Sequence, residues 1–193
     1  MFRGFFMCIF KLNNNKHEQM KKITLLLFIC CATQVFSQDM KALKASAMRD
    51  AKAACKATID EDYKTLLSFT HPNLIKAAGG VEVMEEFLKS TFDQMKAGGF
   101  KYETAETKSV SDVVKEQGEY RCYVQNYNVM LMNKKRITAT SYMIGFFNES
   151  TKKWTFVEAK EMKDTGTIIS YFPDFKTSMK IPENTMDIED IKE

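Results

Sequence analysis

Apolar residues in the first half of the chain recur at helical spacing. Between Asp39 and Ile59 they return every three or four positions, and the charged residues, Asp50 among them, occupy the other side. This pattern predicts an amphipathic helix whose apolar face is small and rich in alanine, so that another layer can approach it closely. A short second helix is expected from Tyr63 onward.

Proline and glycine divide the rest of this helical half. Pro72 suits the first position of a helix and Gly79-Gly80 stops one, so the pattern predicts a short helix over Pro72–Ala78. A longer helix is predicted over Val81–Ala97, ending at the next glycine pair. Its apolar face, which we expect to pack on the core, contains Val81, Met84, Leu88, Phe92 and Met95.

The second half of the chain changes to the alternating pattern of strands. Runs rich in tyrosine, valine and methionine are separated by short turns at residues 116–118 and 133–134, which predicts an antiparallel sheet. The predicted strands are Phe100–Val114, Glu119–Met132, Arg136–Phe147 and Lys153–Ala159, and Thr167–Phe172 is either a further strand or a turn. Helices followed by an antiparallel sheet indicate the α+β class.

A leader precedes the helices. Lys21-Lys22 stand before the apolar run Ile23–Ala32, which is too short to span a bilayer and is followed by small residues at Val35 and Ser37. This pattern predicts a signal peptide over residues 20–37, and export to the periplasm or out of the cell without a stable membrane anchor after cleavage. We interpret residues 1–19 as an over-called start of the reading frame.

The leader also carries the basic charge of the chain. Residues 1–37 hold five of the 28 Lys and Arg residues and one of the 25 Asp and Glu residues, so their removal changes the formal charge from +3 to −1. A basic surface for nucleic acid is therefore not expected. We expect one domain over residues 38–182 and a flexible acidic tail over residues 183–193.

Two cysteines remain after cleavage of the leader. Export permits a disulfide between Cys55 and Cys122, and closing a loop of this length would stabilise the fold by roughly 4 kcal/mol. The alternative is that both are small, buried and unpaired side chains. The sequence leaves both interpretations open.

The residue types restrict the chemistry that the domain can perform. His71 is the one histidine after the leader, which excludes a multi-histidine zinc site, and we expect no metal site. The chain has no GxSxG, P-loop or GxGxxG motif, so acyl transfer and nucleotide use are not expected. We predict no cofactor.

Four short stretches carry a resemblance to a known superfamily. They are the end of the first helix at Asp60–Tyr63, the Phe69–Leu74 step, Gly79-Gly80, and the closing Trp154–Val157 strand. These stretches resemble the nuclear-transport-factor-2-like superfamily, which includes ketosteroid isomerases and SnoaL-type cyclases, and the likeness covers about residues 39–175. It implies a cystatin-like cone: N-terminal helices on the concave face of a curved antiparallel sheet of four or more strands. The resemblance also allows a homodimer through the sheet.

The resemblance suggests candidate site residues. Enzymes of this superfamily move a proton beside a carbonyl with a carboxylate, assisted by a tyrosine or a protonated aspartate. Glu158 is the strand carboxylate that alternates onto the face of Trp154, and His71 is the other candidate acid or base. Candidates to line a ligand pocket are Tyr63, Tyr123, Tyr127 and Trp154, although such residues also serve as core.

Two functions are consistent with these residues. The one we favour is a non-catalytic exported domain that binds a small apolar ligand or a protein or peptide partner in the cell envelope, because the strands offer so few carboxylates. The alternative is an isomerase or dehydratase of the ketosteroid-isomerase or SnoaL kind, with Glu158 or His71 as the base and a tyrosine as the hydrogen-bond donor. The two differ in whether such a base points into a cavity beside a tyrosine hydroxyl.

Overall fold

A computed structural model describes residues 39–163, 166 and 168–191. The predicted signal peptide and the residues before it lie outside this part. Leu43–Glu193 forms a compact unit of its own. Before this unit, residues 39–42 are described and are helical.

Within the described residues, four α-helices precede the strands, as the apolar spacing and the proline and glycine positions predict. They are α1 over residues 39–59, α2 (Tyr63–Ser68), α3 (Pro72–Ala77) and α4 (Val81–Ala97). Asp62 caps α2 by accepting a hydrogen bond from the Thr65 amide at 3.0 Å, and the His71 ring caps α3 by accepting one from the Asn73 amide at 3.2 Å. Within the described residues, no helix is both long and apolar enough to cross a bilayer.

The second half forms the strands β1 (Lys101–Val110), β2 (Val114–Glu116), β3 (Glu119–Met132), β4 (Lys135–Asn148), β5 (Lys153–Glu158) and β6 (Thr185–Asp190). Two-residue turns join β2 to β3 and β3 to β4. Both central residues of each turn have positive φ, 52° and 84° at Gln117-Gly118 and 51° and 59° at Asn133-Lys134. Such turns match the twist of the strands that they connect.

The six described strands make one curved, open antiparallel sheet. Its main order is β1-β3-β4-β5, with β2 on the same edge of β3 as β1, and β6 on the same edge of β4 as β5. The predicted α+β class is therefore confirmed. Residue Thr70 adds a short parallel bridge to Phe156 at the outer edge of β5.

One face of the sheet, here called the helix face, packs against α1. The alanines of α1 allow close approach, and the buried cluster comprises Ala47, Ala51, Ala54, Phe69, Val110, Cys122, Val124, Trp154 and Phe156. Gly145 lies under this cluster, where an added Cβ would stand 3.1 Å from atoms of Cys122, Trp154 and Phe156. A side chain at this position would therefore overfill the core.

The opposite face is covered by the C-terminal part of the chain. Residues 172–190, here called the arm, first cross this arm face and then turn over the edge of the sheet to form β6. The buried cluster comprises Tyr142, Ile144, Phe146, Val157, Ala159, Met162 and Phe172, with Phe175, Met179 and Ile181 packed against it. Both sides of the sheet are thus occupied over its β4–β5 half.

Asp50 does not lie on the solvent side of α1, where the sequence places it. It is 5% exposed, and its carboxylate accepts a hydrogen bond from the backbone amide of Trp154 at 3.0 Å. The reason is geometric: position 50 is one turn from Ala47 and Ala54, so it shares their face and meets the first residues of β5.

The C-terminal predictions also need correction. Residues 185–190 are not a flexible tail but a strand paired with β4 from Thr140 to Lys135, although all six are exposed. Within Thr167–Phe172, Ile169–Tyr171 form a short 3-10 helix, which agrees with the predicted turn and not with the predicted strand, and Thr167 lies outside the described residues. The backbone groups of residues 185–190 find their partners on an edge of the sheet that sequence patterns do not reveal.

Helix α4 is less buried than its pattern predicts. No residue of α4 is fully buried. Met84, Leu88, Phe92 and Met95 are half-buried, while Val81 is 48% exposed. The other face exposes Phe87 by 65%. The spacing correctly predicts the helix and its more covered side, but Val81 does not belong to the core.

Candidate functional site

Glu158 lies at the end of β5, on the helix face as predicted. It pairs across the sheet with Met143 and is half-buried. Burial raises the pKa of the Glu158 carboxyl above its usual value, and the nearby Glu161 adds to this, while the hydrogen bond from Asn184 acts in the opposite direction. The side-chain amide of Asn184 donates to Glu158 Oε1 at 3.0 Å.

Asn184 bridges a gap in the pairing along β4. Strand β5 ends opposite Met143 and β6 begins opposite Thr140, so on this edge of β4 no described strand pairs with the two residues between them, although β3 pairs with both on the other edge. Asn184 Oδ1 accepts a hydrogen bond from the amide of Tyr142 at 3.2 Å, while its Nδ2 holds Glu158. A pocket of about 390 Å³ opens at this gap, and its lining includes Ala139, Ser141, Lys160, Lys163, Asn184 and Met186.

His71 lies on the other side of the sheet from Glu158. Its ring packs against Phe146 and Phe172, with centroids 4.8 Å and 4.7 Å apart. Its Nδ1 is engaged as the cap of α3. Burial lowers the pKa of His71; Glu119 raises it and Arg121 lowers it to smaller extents. The imidazole therefore packs against two aromatic rings and caps α3.

The aromatic candidates are dispersed as well. Tyr63 packs on Phe92 of α4, Tyr123 packs on Tyr142 of the arm face, and Lys108 lies over the ring of Tyr127. Trp154 is fully buried in the core, and its indole N–H donates to Ser46 Oγ at 2.8 Å. No described tyrosine hydroxyl hydrogen-bonds to Glu158 or His71. The structure does not bring the predicted site residues together.

Both remaining cysteines are free in the structure, so the disulfide between Cys55 and Cys122 is not formed. Burial raises the pKa of the Cys122 thiol to about 12, and Lys44 opposes this shift. Burial, and then the charge of Glu106, also raise the pKa of Cys55. Neither thiol has the environment of a reactive nucleophile.

A groove that the sequence does not predict runs between α1 and β1. It consists of two adjoining pockets that share Ile59, one of about 440 Å³ and one of about 170 Å³. The larger pocket lies beside Cys55 and Ala105, and the smaller lies beside Phe92 and Tyr102. Ile59 is 45% exposed. We refer to this feature as the α1–β1 groove.

The groove follows a strand that has one free edge in the described sheet. Strand β1 pairs with β3 and with no other described strand. Two register shifts interrupt its pairing, between Tyr102 and Thr104 and between Thr107 and Ser109, and between them lies a regular stretch. Bulges protect an edge against uncontrolled pairing, so the accessible stretch of β1 is short.

Sequence reasoning missed this groove because its apolar centre is an ordinary residue of the first helix. Ile59 ends the apolar stripe of α1 and is immediately followed by the acidic residues 60–62, so the spacing places it on the core face. The available signal is the position of Ile59 at the end of α1, because the helix that covers the sheet stops there. Only the placement of β1 shows what faces it.

The sequence matches no protein-family model, and searches of curated proteins and of solved structures find no significant match.

Proposed function

We propose that this chain is an exported binding domain that holds an extended polypeptide segment in the α1–β1 groove. The observation that carries the proposal is the position of two adjoining pockets along a strand with a free edge. An extended peptide can add backbone hydrogen bonds to such an edge while alternate side chains enter the pockets. Five residues of β1 line the groove, namely Lys101, Tyr102, Ala105, Glu106 and Thr107. The span from 101 to 107 corresponds to roughly 23 Å of strand.

The size and open shape of the groove favour the binding of peptide side chains over the binding of a large, enclosed ligand. Its pockets of about 440 Å³ and 170 Å³ are joined at Ile59 in an open depression beside β1. Ile59, Cys55 and Ala105 supply apolar surface, and charged side chains border it. This mixed lining is typical of sites that read a few side chains of an extended partner.

The proposal also covers the location of the domain and the superfamily to which it belongs. Export by the predicted leader would place the groove in the cell envelope or outside the cell, where a protein partner would meet it. Membership of the nuclear-transport-factor-2-like superfamily remains part of the proposal and is supported by the order of helices before a curved antiparallel sheet. Binding through the arm face in a homodimer is less favoured, because the arm already covers its β4–β5 half.

The test is selection of peptides from a random display library, followed by binding to variants. Ile59→Glu places a charge at the shared centre of the groove, and Lys180→Glu, at an exposed position of the arm, is the matched control. We expect the selected peptides to lose binding to Ile59→Glu, to retain binding to Lys180→Glu, and to slow hydrogen exchange of the β1 amides. Peptides that bind both variants equally, or no selected peptide at all, would contradict the proposal.

The isomerase alternative rests on one observation, the half-buried Glu158 whose pKa is raised beside the pocket at Asn184. The opposite placement of His71 and the absence of a tyrosine partner among the described residues argue against it. Its test is solvent-deuterium uptake next to the carbonyl in a panel of cyclic ketones, measured by NMR. Uptake that disappears in Glu158→Gln, with folding preserved, would favour the enzyme over the binding domain.

A further inference from the structure

Ion pairs account for most of the charges in the α1–β1 groove. Asp60 pairs with Lys56, Glu61 pairs with Lys96 at 2.7 Å, and Glu106 pairs with Lys108 just outside the groove. The acidic side chains that line the two pockets are therefore each held by a lysine. An incoming segment does not meet a free carboxylate in the groove.

Two lysines of the groove have no such partner. Lys52 lines the larger pocket and Lys101 lines the smaller one, and neither forms an ion pair within the part of the chain that the structure describes. Lys101 contributes to the lowered pKa of Glu103, but the guanidinium of Arg136 holds that carboxylate through two hydrogen bonds, at 2.8 Å and 3.0 Å. Among the described residues, the groove thus presents two lysines without an ion-pair partner, one in each pocket.

The two lysines flank the apolar centre. Helix α1 runs antiparallel to β1: Lys44 near its start pairs with Asp112 beyond the end of β1, while Ile59 at its end lies beside Tyr102. Lys52 therefore lies towards Ala105–Thr107, and Lys101 lies at the other end, with Ile59 between them. Four to six residues of an extended segment would span this interval, roughly 13–20 Å.

We propose that the groove selects an acidic segment: an extended strand with apolar residues over Ile59 and a carboxylate at each end, one for Lys52 and one for Lys101. This inference rests on the proposed function and adds the chemistry of the partner. Both lysines are on the surface, so the carboxylates contribute selectivity and faster association more than affinity. Salt would weaken this contribution by screening.

The chain itself contains an added strand that is acidic at one end. In β6, Met186 and Ile188 share one face with Asp190, and this strand adds to the part of the β4 edge that β5 leaves unpaired. Its Asp190 pairs with Lys135 of β4 at 3.1 Å. An added strand whose apolar residues are followed on the same face by a carboxylate that pairs with a lysine is therefore a mode of pairing that this sheet already uses.

The test uses three synthetic peptides and two protein variants. The first peptide has aspartate at both ends, valine at its third and fifth positions and threonine elsewhere in seven residues. Its twins carry asparagine or lysine in place of both aspartates. Binding to the purified full chain is measured by fluorescence anisotropy at low and high salt, and then with Lys52→Glu/Lys101→Glu and with the control Lys180→Glu.

We expect the aspartate peptide to bind at least about fivefold more tightly than its asparagine twin at low salt, and this advantage to shrink at high salt and vanish in the double variant. The lysine twin should bind most weakly to the wild-type chain and gain affinity for the double variant. The control variant should leave the order unchanged.

Two other results separate the inference from the function on which it rests. If the three peptides bind equally, and all lose binding in Ile59→Glu, the groove binds extended segments but does not select acidic ones. If none of the three binds, and library selection also returns no peptide that depends on Ile59, the inference and the proposed function both fail.

Discussion

Asp50 shows how a single buried carboxylate joins the first helix to the sheet. Its Oδ2 accepts the hydrogen bond from the Trp154 amide, and its Oδ1 lies 2.8 Å from the guanidinium of the largely exposed Arg49. Since β5 pairs with β4 through its other side, the amide of Trp154 depends on this side chain for a partner. A side chain from α1 thus completes the start of a strand about a hundred positions later.

We therefore expect Asp50→Ala to lower the free energy of unfolding by about 1–3 kcal/mol, because the buried amide of Trp154 loses its acceptor. Urea denaturation followed by Trp154 fluorescence measures this change. Arg49→Ala is the control, since it removes only an exposed ion pair and should cost less than about 1 kcal/mol. Equal losses in the two variants would show that the buried hydrogen bond contributes little.

His71 predicts a pH dependence of stability. Its pKa in the folded chain is lowered from 6.5, chiefly by burial, so the unfolded chain binds the proton more readily. The stability that this residue contributes is present above about pH 6.5 and is lost as the pH falls through the lowered pKa.

We expect the wild-type chain to lose stability between pH 6.5 and pH 5 more steeply than His71→Asn. Asparagine retains an N-cap for α3 but does not titrate, so the comparison isolates the imidazole. The readout is the slope of unfolding free energy against pH, since the lost ring contacts lower stability at every pH. Parallel slopes would mean that the protonation of His71 is not linked to folding.

At the scale of elements, side chains of the β2–β3 hairpin hold the arm in place through hydrogen bonds and cation–π contacts. Arg121 is 4% exposed, lies over the rings of Phe146 and Phe175, and donates to the carbonyl of Lys176 at 2.9 Å. Glu119 and Gln117 accept its other hydrogen bonds. Further along, Glu116 Oε1 accepts from the Ser178 amide at 2.8 Å.

Replacement of this guanidinium should loosen the arm. We expect Arg121→Ala to reduce stability by about 2–4 kcal/mol, through lost hydrogen bonds and lost cation–π contacts, and to speed proteolysis within residues 172–182. Arg121→Lys keeps the charge but not the planar fork, so its loss should be intermediate. Unchanged cleavage of the arm in Arg121→Ala would show that apolar packing alone holds it.

At the scale of the whole molecule, the two parts of the arm differ in what they bury. The first part places Phe172 against the core of the arm face, while every residue of β6 is exposed. The first part is therefore expected to be required for the fold, whereas β6 mainly covers an edge of β4.

A chain that ends after Asn184 should fold and lose only roughly 1–2 kcal/mol, because it keeps the arm-face packing and the bonds of Asn184. A chain that ends before Phe172 should fail to give a cooperative transition, since it uncovers the apolar cluster around Ile144. Thermal unfolding by circular dichroism distinguishes the two. A cooperative, near-wild-type transition in the shorter chain would contradict this division of the arm.

The elements could be predicted closely from the sequence, because they depend on local rules. Helix α4 and strand β3 have the predicted bounds, and the turn at Asn133-Lys134 forms where a polar pair interrupts two strands. The candidate site could not be predicted in the same way. As expected, Glu158 lies at the end of a strand and His71 at the start of a helix. However, the two residues lie on opposite sides of the sheet.

By itself, therefore, the sequence determined the helices, the strands β3, β4 and β5, the turns that begin and end β3, and the α+β class, because period, proline and glycine act over a few residues. Only the tertiary structure decided that Asp50 is buried, that the acidic C-terminus becomes a strand, and that Ile59 faces β1 across a groove. These features arise between residues far apart in the chain, and burial and pairing at such distances depend on how the elements pack rather than on the local pattern.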